Sequence, residues 1–245
     1  ADPNHEWYFN KGLKKDFNLF AKYNYQVAEK LNLFADMQYR HINYSIDGID
    51  DDLRNITQQH EFNFFNPKLG VFYEPAQNQI LYLSFATANR EPNRSAYIDA
   101  RQDAEPPVYE TLYDWELGYE FTSARFSGSA NFYYMSYKNQ LVLTGEINDV
   151  GNPIMTNVDK SHRRGMELQT GLALTKNLQW LANATFSQNK IENFTEYVDN
   201  WDTGKQEVFS LGTTDIAFSP DMIANSQLVY EPLKNLNFAF ISTYV

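Results

Sequence analysis

Residues 109–143 read YETLYDWELGYEFTSARFSGSANFYYMSYKNQLVL, and this stretch decides the fold. Trp115, Leu117, Tyr119 and Phe121 fall on one side of an alternation, with Asp114, Glu116, Gly118 and Glu120 on the other. After Thr122-Ser123-Ala124 the pattern resumes, with Phe126, Gly128, Ala130, Phe132 and Tyr134 against Arg125, Ser127, Ser129 and Asn131. A period of two sustained this long means extended strands with one apolar face and one wet face. So short a connection leaves only an antiparallel hairpin. The second strand runs on towards Gly145, well past the about five or six residues usual in globular proteins. Long, half-apolar strands with aromatic ends are what an outer-membrane barrel needs.

Outward from this hairpin the alternation repeats. Leu19, Ala21, Tyr23, Tyr25 and Val27 share one face of a strand over residues 18–28, which turns at Glu29-Lys30 into Leu31, Leu33, Ala35, Met37 and Tyr39. Further strands are expected over 60–73, from Leu81, over 157–174, from Leu178, up to Tyr230, and from Leu236. Together these make about ten strands, with ends good to a few residues. The connections alternate in length: short at 29–30, 74–78, 122–124, 175–177 and 231–235, long at 45–59, 89–108, 144–155 and 193–222. An up-and-down barrel with short turns on the periplasmic side and long loops outside sorts its connections in this way. A Greek-key sandwich has no reason to. The expected fold is therefore all-β, an antiparallel up-and-down meander forming part of an outer-membrane β-barrel, with 1–245 as one partial barrel domain.

Composition sets the other bounds. Aromatics are 16% of the chain, an excess that suits strands and interface girdles. No run of about 18 apolar residues occurs, so no transmembrane helix is expected, which leaves barrel strands untouched. A net charge of −11 with no basic run argues against nucleic acid as a partner. With no cysteine there is no disulfide framework and no thiolate site. No signal peptide is visible at Ala1-Asp2-Pro3-Asn4. An exported protein would then be represented by a mature or internal piece.

Several segments resemble TonB-dependent outer-membrane receptors. Asn66-Pro67-Lys68-Leu69-Gly70-Val71-Phe72-Tyr73-Glu74-Pro75 is similar to that family's PK-G-Y-P strand and turn, and Arg90-Glu91-Pro92 after Leu81–Ala86 to its Arg-x-Pro element. Glu110 with Trp115-Glu116-Leu117-Gly118 resembles its E-x-G strand, and Phe132-Tyr133-Tyr134 through Lys138-Asn139-Gln140-Leu141 its FY…K-(D/N)-x-(I/L) strand. Asn157 with Arg164-Gly165-Met166-Glu167-Leu168 resembles N…R-G-(V/M)-E, and Ser219-Pro220 a proline entering a late strand. The resemblance covers about residues 66–232. It implies a barrel of about 22 strands with a plugged lumen, importing a scarce solute (iron chelate, haem, cobalamin or oligosaccharide) with energy drawn from the inner-membrane TonB complex. The plug, the N-terminal motif that meets that complex and the terminal strands are expected outside this segment. The implied location is the outer membrane of a Gram-negative bacterium.

Candidate sites follow from residue type and place. Arg90, Arg94, Tyr97 and Arg101 fall in the long connection 89–108, where they could hold an anionic ligand, or pair instead with Glu91, Asp99, Asp103 and Glu105. Tyr197, Trp201 and Phe209 in 193–222 could stack on a sugar or an aromatic chelator, or form that loop's own small core. Trp115, Tyr119, Phe132, Tyr134 and Trp180 are read as lipid-facing. Asp47, Asp50, Asp51 and Asp52 make an acidic loop without EF-hand spacing. The four histidines have no HExxH pattern, and no nucleophile elbow or P-loop occurs. No catalytic, cofactor or metal residues are assigned, and a non-enzymatic role is expected. A soluble β-sandwich binding polysaccharide and a passive porin-like channel are the alternatives.

Overall fold

The computed structural model describes residues 7–51, 53–100, 105–148 and 151–245. Its strands are β1 (Phe9–Ala28), β2 (Leu31–Ile49), β3 (Gln58–Tyr73), β4 (Gln79–Arg90), β5 (Glu110–Thr122), β6 (Phe126–Ile147), β7 (Pro153–Ala173), β8 (Leu178–Asn200), β9 (Lys205–Asp215), β10 (Met222–Leu233) and β11 (Leu236–Tyr244). One short helix, α1 (Arg94–Ile98), follows β4. All strands join one antiparallel sheet in the order β1 to β8, then β10 and β11, with β9 paired to β8 alone. The meander and the sorting of connections are as expected. Short turns gather at one end of the sheet, and the long connections, with the β8–β9 hairpin, at the other.

The strand count differs from the expected ten because the connection 193–222 is not all loop. β8 runs on to Asn200 and returns as β9. Two register shifts interrupt this hairpin, and Asn193 (φ 53°) and Gly212 (φ 65°) take up the extra residues. Each bulge resets the period of two, so no single alternation runs through the segment. β1 likewise starts at Phe9 and β2 reaches Ile49, both beyond their expected ends.

Pairing places the apolar residues in rungs. One continuous rung runs Tyr25, Leu33, Val71, Leu83, Leu117, Phe132, Met166, Phe186, Met222 across the sheet. The apolar band lies oblique to such rungs. Leu19, Tyr39 and Phe65 carry it towards the long-loop end on β1–β3, at the level where β5–β7 show Thr111, Lys138 and Lys160. Trp180, Leu228 and Phe240 carry it towards the short-turn end on β8–β11. Along this band the side chains stay exposed, Trp115 at 50% and Phe132 at 51%. Buried residues gather instead at the long-loop end, in one cluster of Ile46, Ile56 and Tyr97 and another of Val142, Val158, Ile191 and Ile216.

The wet face has its own packing device. Phe34 stands directly opposite Gly70, Tyr82 opposite Gly118, and Tyr133 opposite Gly165. A Cβ on Gly70 would lie 2.2 Å from the Phe34 ring, and one on Gly118 2.1 Å from the Tyr82 ring. The rings therefore lie flat over bare backbone, a pairing that pins strand register.

Proline opens the sheet where the loops begin. β3 pairs with β4 only from Lys68 onward, immediately after Pro67, which has no N–H to donate. Beyond it side-chain amides take over. The Asn89 N–H and amide donate to Asn66 Oδ1 at 3.0 and 2.8 Å, and Thr111 Oγ1 donates to Asn89 Oδ1 at 2.8 Å.

Candidate functional site

The segment after β4 turns back over the wet face at the long-loop end. Asn93 caps α1 by accepting from the Ala96 N–H. Glu91 pairs with Lys14 on β1 and lies 3.7 Å from Arg40 on β2, which also holds Asp16 at 2.6 Å. Arg94 donates to Asn10 Oδ1 on β1. These contacts join residues after β4 to β1, two strands beyond β4's own neighbour β3, so the wet face is concave here.

Tyr97 fixes the centre. Its ring stacks on His60 at 3.8 Å between centroids, with Tyr44 at 6.3 Å and Ile46 and Ile56 beneath. Burial, with Glu91 nearby, raises the Tyr97 phenol pKa. The preceding loop is clamped to the same place: Asp50 accepts from the Arg54 N–H and guanidinium at 2.9 and 3.0 Å, and Arg54 reaches the Ile98 carbonyl at 3.3 Å. Phe62, Phe64 and Tyr109 extend the aromatic wall. Truncation by Tyr97→Ala should cost about 3 kcal/mol locally. That loss appears as loop opening rather than global unfolding. Protease nicking within 91–109 should rise at least tenfold, and an unchanged cleavage rate would show that this ring does not hold the loop.

Other long connections are tied in behind it. Asn157 Oδ1 accepts from the Val108 N–H at 2.8 Å, and its amide donates to the Val108 and Asn139 carbonyls at 3.0 and 2.6 Å. The Asn152 amide donates to Asp99 at 3.2 Å, and Gln206 donates to the Gly145 carbonyl at 3.1 Å while accepting from the Ile147 N–H. Removing the bridge with Asn157→Ala should cost about 1–3 kcal/mol. It would be read as faster hydrogen exchange at Val108.

Arg90 ends β4 directly opposite Glu110, and the two side chains pair at 2.5 Å. Glu110 also accepts from the Leu141 N–H. Arg90 itself stays largely exposed, whereas Glu110 is buried. Arg94 and Tyr97 belong to the loop cluster just described, and Arg101 lies outside the described residues. Tyr197 and Phe209 sit on facing strands of the β8–β9 hairpin, and Trp201 projects from its turn at 90% exposure. Trp115, Tyr119, Phe132, Tyr134 and Trp180 all lie exposed on the apolar face. Of the acidic residues expected in a loop, Asp47 falls within β2 and accepts from Thr57 at 3.3 Å, Asp50 serves Arg54, and Asp52 lies outside the described residues. Among the described residues, no group of three or more His, Cys, Asp or Glu could hold a metal ion.

Tyr44, His60, Phe62, Phe64 and Tyr109 were not singled out from sequence, although they line the vestibule. The available signal was a run on the wet side of the alternation: His60, Phe62 and Phe64 set three rings in succession there, next to a long connection.

The family model for the TonB dependent receptor-like β-barrel matches residues 1–244. The chain belongs to the TonB-dependent receptors. Among solved structures, the ferric-catecholate import receptor Fiu of E. coli K12 is 14% identical with a TM-score of 0.72, over 96% of this chain and 35% of that one. The siderophore receptor PiuA of Acinetobacter baumannii is 14% identical with a TM-score of 0.75, over 94% and 33%. The ferric yersiniabactin uptake receptor FyuA of Yersinia pestis is 15% identical with a TM-score of 0.69, over 97% and 35%. No curated protein matches the chain. This receptor chain thus spans about a third of the solved receptors it resembles. The family comprises outer-membrane receptors and transporters rather than enzymes.

Proposed function

We propose that this chain is a wall segment of a receptor that imports a scarce small solute across a Gram-negative outer membrane. Iron chelate, haem, cobalamin and oligosaccharide are the solute classes. The single observation that carries the reading is the vestibule at the long-loop end, where the concave wet face gathers aromatic rings and the exposed Arg90 guanidinium. Aromatic faces and guanidinium groups suit a planar, anionic solute. The β8–β9 hairpin offers Trp201 as a second contact, and Arg94 and Arg101 are the further cations of the 89–108 connection. The wall stays static while a plug domain, driven by the TonB complex, moves within the barrel. The apolar face meets lipid through Trp115, Tyr119, Phe132, Tyr134 and Trp180. Fiu is a ferric-catecholate import receptor, PiuA a siderophore receptor and FyuA a ferric yersiniabactin uptake receptor, so ferric chelates are tested first.

The test is uptake of radiolabelled ferric chelates by cells expressing the full-length receptor, with and without collapse of the inner-membrane proton gradient. Gradient-dependent uptake is expected, reduced at least about tenfold by Arg90→Ala. Uptake that survives collapse of the gradient would replace this reading with a passive channel.

A further inference from the structure

At the margin of the apolar band on β6–β8, the sheet gathers basic side chains. Lys138 stands directly opposite Lys160, and His162 directly opposite Lys190. Arg164 lies one step nearer the band, opposite Tyr134, with its guanidinium on Gln188 Oε1 at 2.5 and 2.8 Å. Lys138, Lys160 and Arg164 are exposed. Lys190 is paired with Asp215 at 2.5 Å, Glu192 follows two residues on along β8 beyond the last paired position, and Asp159 lies on the opposite face. Among the described residues, the side chains of Lys138 and Lys160 have no hydrogen-bond or ion-pair partner. Like charges set opposite each other across a strand pair destabilise it, so this arrangement favours an anion placed between them. The same margin on β3–β5 carries no basic side chain, with Glu61, Asn63, Thr87, Asn89 and Thr111, and the chain as a whole carries −11. The concentration of positive charge is therefore local.

We infer that this cluster is a docking surface for the phosphate-bearing headgroup of a membrane lipid. The inference rests on the reading of the apolar band as lipid-facing. Lys138, Lys160 and Arg164 meet the phosphates, while Tyr134, Phe132 and Phe186 line the path of the acyl chains immediately below. The cluster is on the long-loop side of the band, which assigns it to the outer leaflet. A lipid held here would neutralise the facing lysines and brace the β6–β7–β8 pairing.

The test is native mass spectrometry of the full-length receptor in detergent. The probes are a bisphosphorylated acylated disaccharide, its phosphate-free counterpart and inorganic phosphate. The bisphosphorylated lipid alone should be retained, inorganic phosphate should not displace it, and Lys138→Ala/Lys160→Ala/Arg164→Ala should weaken it about tenfold or more. Asn63→Ala/Thr87→Ala on the margin of β3–β4, which has no basic side chain, should leave it unchanged. Lys138→Gln and Lys160→Gln, each relieving the like-charge contact without a cavity, should weaken it about threefold and guard against a misfolded triple variant. Equal retention of both lipids, displacement by inorganic phosphate, or wild-type affinity in these variants would overturn the inference. A wild-type receptor that stays in solution without detergent would overturn the lipid-facing reading itself.

Discussion

Full-length receptor carrying Leu117→Arg should lose about 2–4 kcal/mol of stability in the membrane. Leu117 sits in the middle of the continuous apolar rung, between Leu83 and Phe132. An arginine there meets neither water nor a carboxylate. Two comparisons make the result specific. Ser136→Arg, at the margin of the band between Tyr113 and His162, should cost only about 0–1 kcal/mol, because the penalty falls with distance from the midplane. Ser129→Arg projects to the wet face opposite Glu120 and should be nearly neutral. Urea unfolding from lipid vesicles measures all three. A cost that does not depend on depth along β5–β6 would show that the apolar face is an interior packed against protein, as in a sandwich, and not a surface in contact with lipid.

The second large effect is expected at Gly165. A Cβ there would come within 2.3 Å of the Phe186 carbonyl oxygen and 2.6 Å of the Tyr133 hydroxyl. The carbonyl belongs to the β7–β8 ladder and moves only if that pairing opens, so Gly165→Ala should cost about 3 kcal/mol. Gly118→Ala meets a different obstacle, the Tyr82 ring at 2.1 Å, which a smaller side chain would remove. Tyr82→Ser should therefore rescue Gly118→Ala, with a coupling of about 1–3 kcal/mol, whereas Tyr133→Ser should not rescue Gly165→Ala. Equal rescue at both sites would mean that the ring, and not the backbone, sets the cost at Gly165.

What the sequence made legible follows from the range of the forces involved. The β5–β6 hairpin was readable because one alternation runs unbroken through Trp115–Phe121 and Phe126–Tyr134, and facing is a local property. β9 was hidden because Asn193 and Gly212 each shift the phase of their strands. The pairing of Arg90 with Glu110 was within reach, since counting back along the rungs from Phe85 opposite Trp115 leads to it. The stack of Tyr97 on His60 was not. It depends on a helix that returns over strands laid down far earlier in the chain, and no local pattern encodes that return. The vestibule is consequently the least legible part of the molecule, built from contacts of long sequence separation.

The oblique course of the apolar band makes the wall a ramp rather than a stack of level rings. Residues that share a rung do not share a depth: Tyr39 and Phe65 lie within the band at the level where Lys138 and Lys160 have left it. A pairing slip of one residue would turn every side chain to the wrong face. A slip of two would keep each on its proper face yet carry it up or down the incline, setting aromatics against headgroups and lysines against acyl chains. Strand alignment is thus guarded twice, once by facing and once by altitude.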